Sequence, residues 1–148
     1  MDNKAELIGP ARQVAALVTR DSGTHPEVLM ITSRGTGRWV IPKGWPIAGS
    51  TSAESALQEA FEEAGIVGNA SAEPLGSYRY DKVLADDAVL PCVVDVFEVR
   101  PTGMLAQWPE RAQRRRKWHT AWEAASLVAE PELANLLRGL AERDSRTR

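Results

Sequence analysis

Between Thr51 and Ala64 the chain sorts its side chains by a helical period, and this restricts its fold more than any other feature. At about 100° of rotation per residue, Ala53, Ala56, Leu57, Ala60, Phe61 and Ala64 fall in one apolar arc. Glu59, Glu62 and Glu63 stand on the other side at i, i+3 and i+4, where side chains are neighbours. Thr51 and Glu54 have capping-box spacing, and Gly65 stands where a left-handed C-terminal cap is expected. Four alanines on the apolar side predict a helix lying close to a sheet. The glutamates repel one another by a few tenths of a kcal/mol per pair. Two readings of them stay open: a solvated acidic surface, or a cradle for a divalent cation, since carboxylate oxygens are the hard ligands Mg²⁺ takes alongside waters and substrate phosphates.

Around this helix, apolar and β-branched runs predict strands at 13–20, 27–34, 39–41, 76–80, 92–99 and 117–120. Residues 43–49 read as a loop, and helices are expected near 122–128 and 131–142. Strands early, a helix in the middle and helices at the end describe a mixed α/β layer fold. At 148 residues this is one domain, expected over 12–143, with an N-terminal extension at 1–11 and a flexible polar tail at 144–148. No apolar run approaches the roughly 20 residues of a membrane span, and the mixed-charge start Met1–Glu6 does not read as a signal peptide. One cysteine, Cys92, excludes an internal disulfide and suits a reducing cytoplasm; in its apolar strand it reads as a small buried hydrophobe. A net charge of -2 gives no general drive toward a nucleic acid polymer or an anionic membrane. The basic cluster Arg111, Arg114, Arg115, Arg116 and Lys117 is either a solvated face or a local anion site.

The loop Pro42–Pro46 precedes the acidic helix, and Gly44 and Gly49 permit unusual backbone angles there. It would bring backbone N–H groups and Lys43 toward a phosphate. This block resembles the Nudix box, G-x5-E-x7-R-E-U-x-E-E-x-G-U with U aliphatic, in Gly44, Glu59, Ala60, Glu62, Glu63, Gly65 and Ile66. It departs at Ser50, where the pattern has glutamate, and at Gln58, where it has arginine. The two missing charges are opposite, so losing both leaves no orphan; Ser50 and Gln58 read as a neutral replacement for a supporting pair, still able to hydrogen-bond. Outside the box, Arg38–Gly44, Arg114–Trp118 and Glu123–Ala125 look like the subgroup of diphosphoinositol polyphosphate phosphohydrolases and their bacterial relatives. The likeness covers roughly 12–140, with His119 where phenylalanine is more usual.

The resemblance implies an α/β/α sandwich around a mixed β-sheet, with the box as loop–helix–loop. It implies Glu59, Glu62 and Glu63 as catalytic residues and ligands of Mg²⁺, with Mn²⁺ as a substitute. Glu63 is the first choice for a direct ligand, and Glu59 is either a ligand or the base that activates water. Substrate contacts are expected from Arg34, Arg38, Lys43, Gly44, Arg114 and Arg116, with Arg115 beside them. Asp86, Asp87, Glu98 and Glu110 are candidates for a further acidic group. Trp39, Trp118 and Trp122 read as packing residues; Trp45 is the exception, because it sits in the loop ahead of the acidic helix. His25 has no partner pattern, and His119 is of a type that titrates near neutral pH. The expected activity is Mg²⁺-dependent cleavage of a phosphoanhydride in a nucleoside- or inositol-linked diphosphate, with a small phosphorylated molecule as partner and a monomer or homodimer as the acting unit. Alternatives are a Nudix-fold module that binds its ligand without turnover and a housecleaning nucleoside triphosphate pyrophosphatase.

Overall fold

The apolar run of the first strand becomes the centre of the sheet. In the computed structural model, which describes residues 9–146, β1 (Ala11–Asp21) is buried without alternation from Gln13 to Thr19. That pattern belongs to a strand covered on both faces. After it come β2 (Pro26–Thr32), β3 (Trp39–Val40), β4 (Lys43–Gly44), α1 (Ser52–Ala64), β5 (Ile66–Ala70), β6 (Gly76–Val83) and β7 (Val89–Met104). A single 3-10 turn at Arg111–Gln113 leads to β8 (Arg116–Thr120), α2 (Ala121–Leu127) and α3 (Pro131–Arg146). The sheet order is β3-β2-β1-β7-β5, with β4 also on β1, β6 on β7 and β8 on β2. β1 and β7 run parallel and the other pairs antiparallel, so the sheet is mixed.

Alternation along β1 feeds two cores. Val14, Ala16 and Val18 face α1 through Ala56, Ala60 and Ala64, while Ala15 and Leu17 face α2 and α3 through Ala124, Leu133 and Leu137. This is the expected α/β/α sandwich. The caps of α1 are also as expected: Thr51 Oγ1 accepts from Glu54 N at 3.0 Å and Glu54 Oε1 accepts from Thr51 N at 2.8 Å. Gly65 takes the left-handed conformation at φ 69°, and its N–H donates to Phe61 O.

Several boundaries differ from the sequence reading. Lys43–Gly44, expected in a loop, is a two-residue strand held on β1 by the pairs Ala15↔Lys43 and Val14↔Gly44; two residues are too few to show a period. β5 was not anticipated, because its five residues include a glycine at a bulge next to Val67. β7 outruns the expected 92–99 because it pairs with β6 over one half and β5 over the other. Of the expected extension and tail, residues 1–8 and 147–148 lie outside the described residues, and α3 continues to Arg146 rather than stopping at 142. Trp39 and Trp118 pack against the cores and Cys92 is buried and free, as expected. Trp122 does not pack: it is 49% exposed, because α2 turns Ala121, Ala124 and Ala125 inward instead. Among the described residues, no helix is long and apolar enough to cross a membrane.

Candidate active site

The acidic side of α1 is not a solvated surface. Glu63 is only 8% exposed, and Glu59 and Glu62 are half-buried. The chain between β7 and β8 folds over this side: Trp108 Nε1 donates to Glu63 O at 3.1 Å and Glu110 N donates to Glu62 O at 3.1 Å. From the other flank Lys43 N donates to Glu63 Oε1 at 3.3 Å, and the Arg114 guanidinium lies 3.7 Å from Glu63 Oε2. A Cβ at Gly44 would meet the Glu59 carboxylate, so the glycine lets that side chain lie against the strand. Gly65 is doubly required, since a Cβ there would press on Trp108 and Arg116 besides being strained.

Glu59 and Glu63 stand one helical turn apart on α1 and act on each other's charge. Burial is the main cause that raises Glu59, to about 8, with Glu63, Glu62 and Glu110 adding to it. Burial raises Glu63 as well, while Arg114 pulls the other way. Both carboxylates are thus harder to ionise than in water, because the site solvates their charge poorly. Glu62 is turned aside: Gln58 Nε2 donates to its Oε2 at 2.8 Å. The residue in the place of the arginine thus fastens a box glutamate rather than Ser50, whose N–H goes to Ile47 O.

Among the described residues no three Asp, Glu, His or Cys side chains gather closely enough to hold a metal ion by themselves. The donor set nonetheless fits magnesium, which keeps several waters and typically takes one or two carboxylates plus substrate phosphates. Glu59 and Glu63 supply those two, with hard oxygens only.

Both line a cleft of about 400 Å³ together with Arg34, Arg38, Lys43, Gly44, Lys82, Glu110 and Arg114. Arg114 is its structural pivot, bonded to Glu110 Oε1 at 2.7 Å and to Thr32 O at 3.1 Å. Arg38 reaches Glu130 at 3.1 Å, and Arg34 donates to Gln113 Oε1 at 3.3 Å. Lys43 places its ammonium 4.9 Å over the Tyr80 ring; burial lowers its pKa against the pull of Glu63 and Glu130. Arg34 and Arg114 also border an adjoining groove of about 510 Å³ lined by Arg111 and Arg115.

Two residues expected at the site stand apart from the cleft. Glu62 is held by Gln58, and Arg116 donates to Ala64 O and Leu105 O, both at 2.7 Å, with its guanidinium 3.9 Å over Trp108. Arg116 thereby closes the C-terminal end of α1 and does not line the cleft. Of the outlying acids only Glu110 lines the cleft. Asp86 and Asp87 belong to the β6–β7 turn, and Glu98 is bound by Thr19 and Arg143. His119 is buried edge-on against Trp39 with its Nδ1 unpartnered among the described residues. Sequence reasoning missed Lys82 and Gln13. Lys82 shares a strand face with Tyr78 and Tyr80, so extending that strand two residues would have found it. Gln13 is a polar residue at the head of an apolar run, and its Oε1 accepts from Tyr80 Oη at 2.6 Å.

Residues 9–140 match the NUDIX domain. Nudix hydrolase 12, mitochondrial, of Arabidopsis thaliana is 36% identical over 137 residues, covering 85% of this chain and 68% of that protein. Nudix hydrolase 16, mitochondrial, of the same plant is 33% identical over 120 residues, covering 79% of this chain and 66% of that protein. The chain thus spans about two thirds of the length of these relatives. Among solved structures, the C. elegans Ap4A hydrolase superposes with a TM-score of 0.62 at 16% identity, over 88% of this chain and 95% of that one. The NUDIX domain of Shewanella oneidensis NrtR, complexed with ADP ribose, gives 0.66 at 14% identity, over 93% and 92%. At these identities the structural likeness shows the fold.

Proposed function

The chain belongs to the Nudix family and is a hydrolase of phosphoanhydride bonds; we propose that it works with a divalent cation, Mg²⁺ before Mn²⁺, on a small molecule carrying more phosphate than a single diphosphate. Dinucleoside polyphosphates and diphosphoinositol polyphosphates are the classes that fit. One observation carries this reading: Arg34, Arg38, Lys43, Lys82 and Arg114 line the same cleft as the Glu59–Glu63 pair. That many cations around one carboxylate pair suit a substrate with phosphates beyond the bond that breaks. Arg111 and Arg115 in the adjoining groove extend the positive surface.

A bound Mg²⁺ would neutralise diphosphate oxygens and lower the pKa of the attacking water. Glu63 would hold it, and Glu59 beside it would serve either as a second ligand or as the base that takes up the proton of the water. Lys43 and Arg114, both short of water around their charges, gain most from an incoming phosphate and set the phosphoryl group in line for attack. Arg34 and Arg38 exchange their present polar partners for outlying phosphates. A reducing cytoplasm, in which Cys92 stays a thiol, and a monomer or homodimer complete the reading.

The test is Mg²⁺-dependent hydrolysis across diadenosine polyphosphates, a diphosphoinositol polyphosphate, nucleotide sugars and nucleoside triphosphates. Turnover of the polyphosphorylated classes, lost without metal, is expected. Release of pyrophosphate from nucleoside triphosphates in preference to them would replace this reading with the housecleaning one. Tight binding without turnover of any would replace it with a ligand-binding module.

A further inference from the structure

Of the five tryptophans, three have work inside the fold. Trp39 packs against His119 with ring centroids 4.9 Å apart, Trp108 donates to Glu63 O, and Trp118 carries the Arg20 guanidinium 4.1 Å over its ring. Trp122 is exposed on α2 and does not border the cleft. Trp45 is the exception, because it lines the cleft and is 45% exposed. Among the described residues its indole makes no hydrogen bond, ring stack or cation contact.

Its place is nevertheless fixed. Gly44 before it is paired into the sheet, Pro46 after it restricts its backbone, and Ile47 N donates to Ser55 Oγ at 2.9 Å, which fastens the loop to α1. The result is an aromatic side chain on an anchored loop at the margin of a cleft lined largely by charges. Such a face does nothing for a phosphate, because the π-cloud is the negative side of the ring and disfavours an anion. It offers little to a polyphosphorylated inositol, whose ring carries anionic groups all round. It is well suited to the flat face of a heterocyclic base, which stacks on indole whatever its hydrogen-bonding pattern.

We propose that Trp45 is the platform on which a nucleobase stacks, so that this cleft selects a nucleoside-linked polyphosphate over an inositol-linked one. The inference rests on the polyphosphate hydrolase reading above. It assigns the phosphates to the basic side chains, the scissile bond to the Glu59–Glu63 end, and the base to Trp45.

The experiment compares kcat and KM for diadenosine tetraphosphate and for a diphosphoinositol polyphosphate in the wild type, Trp45→Ala and Trp45→Phe. Trp45→Ala is expected to raise KM for the dinucleotide about tenfold and to lower the dinucleotide-to-inositol ratio of kcat/KM by a similar factor. Trp45→Phe, which keeps a ring, is expected to restore most of it. No change in the ratio, or Trp45→Phe no better than Trp45→Ala, overturns the proposal. Calorimetric binding of ADP provides an arm independent of turnover. A protein that hydrolyses neither compound but binds ADP about tenfold more weakly as Trp45→Ala would overturn the hydrolase reading and uphold the stack. Equal ADP binding by both, or none by the wild type, overturns the stack itself.

Discussion

The two faces of the sheet are packed by different chemistry. On the face covered by α2 and α3, α3 turns Leu133, Leu137 and Leu140 inward, each at most 4% exposed, and the nearby Glu132 sits at the rim, accepting from Arg79 N at 2.7 Å. On the other face α1 turns Ala56, Ala60 and Ala64 inward, and the same helix holds Glu63 buried against Arg114, whose side chain is 8% exposed. Small residues bring α1 close to the sheet and fix its carboxylates, but they bury little apolar area. Desolvated charges cost further free energy even when paired. The α1 layer is built for chemistry, and the leucine layer supplies the stability that it lacks.

The sharpest way to break this contrast is to remove one residue from each layer. Glu63→Gln is expected to lower turnover by about 10²–10³, while the melting temperature stays level or rises because a buried acidic group with a raised pKa has become neutral. Leu137→Ala is expected to cost about 3 kcal/mol, on the order of 10 °C in melting temperature, while kcat measured well below that melt is retained. Thermal melts and Mg²⁺-dependent assays on both variants decide it. Similar loss of stability in the two would show that the layers are not divided in this way.

Most of this division was legible in the sequence because it follows a period. The alanines and glutamates of α1, the capping pair Thr51 and Glu54 and the cap Gly65 all declare themselves at helical spacing, and the structure keeps each of them. What covers the glutamates was not legible. Trp108, Glu110 and Arg114 come from an irregular segment more than 40 residues away whose placement depends on backbone bonds such as Thr32 N to Arg115 O. For the same reason a run of three arginines gave no sign of which one points where. Their neighbours are set by the end of a strand and a 3-10 turn, not by spacing.

Those arginines give the next test, smaller in effect. Arg114 and Arg116 are two residues apart, yet one lines the cleft and the other closes α1. Arg114→Met is expected to raise KM for a polyphosphorylated substrate about tenfold, or roughly 1.4 kcal/mol. It is also expected to cost stability through its lost bonds to Glu110 and Thr32 O, so KM is the readout that sets it apart. Arg116→Met, which keeps a side chain over Trp108, is expected to cost about 1–2 kcal/mol of stability through two orphaned carbonyls and to leave KM in place. Steady-state kinetics alongside chemical denaturation separates the two, and exchanged phenotypes would mean that Arg116, not Arg114, meets the substrate.

The smallest expected effect lies where α3 is tied to the leucine face. Glu98 accepts from Arg143 at 3.1 and 3.0 Å and from Thr19 Oγ1 at 2.6 Å, with Arg100 3.5 Å away. Burial alone would raise its pKa, but the bonds from Arg143 and Thr19 outweigh it, with the charges of Arg143 and Arg100 adding, so the folded value lies below the ordinary 4.5. A carboxyl depressed in the folded state contributes stability above its unfolded pKa and loses it as pH falls through the folded one. The wild type should therefore lose about 1 kcal/mol more than Glu98→Gln on acidification from about pH 6 to below the folded pKa, a modest figure because Arg143 is partly solvated. Denaturation across that range reads the difference. Parallel curves would mean that the leucines hold α3 unaided, and the contrast between the faces would then be one of apolar packing against charge with no ionic share on the leucine side.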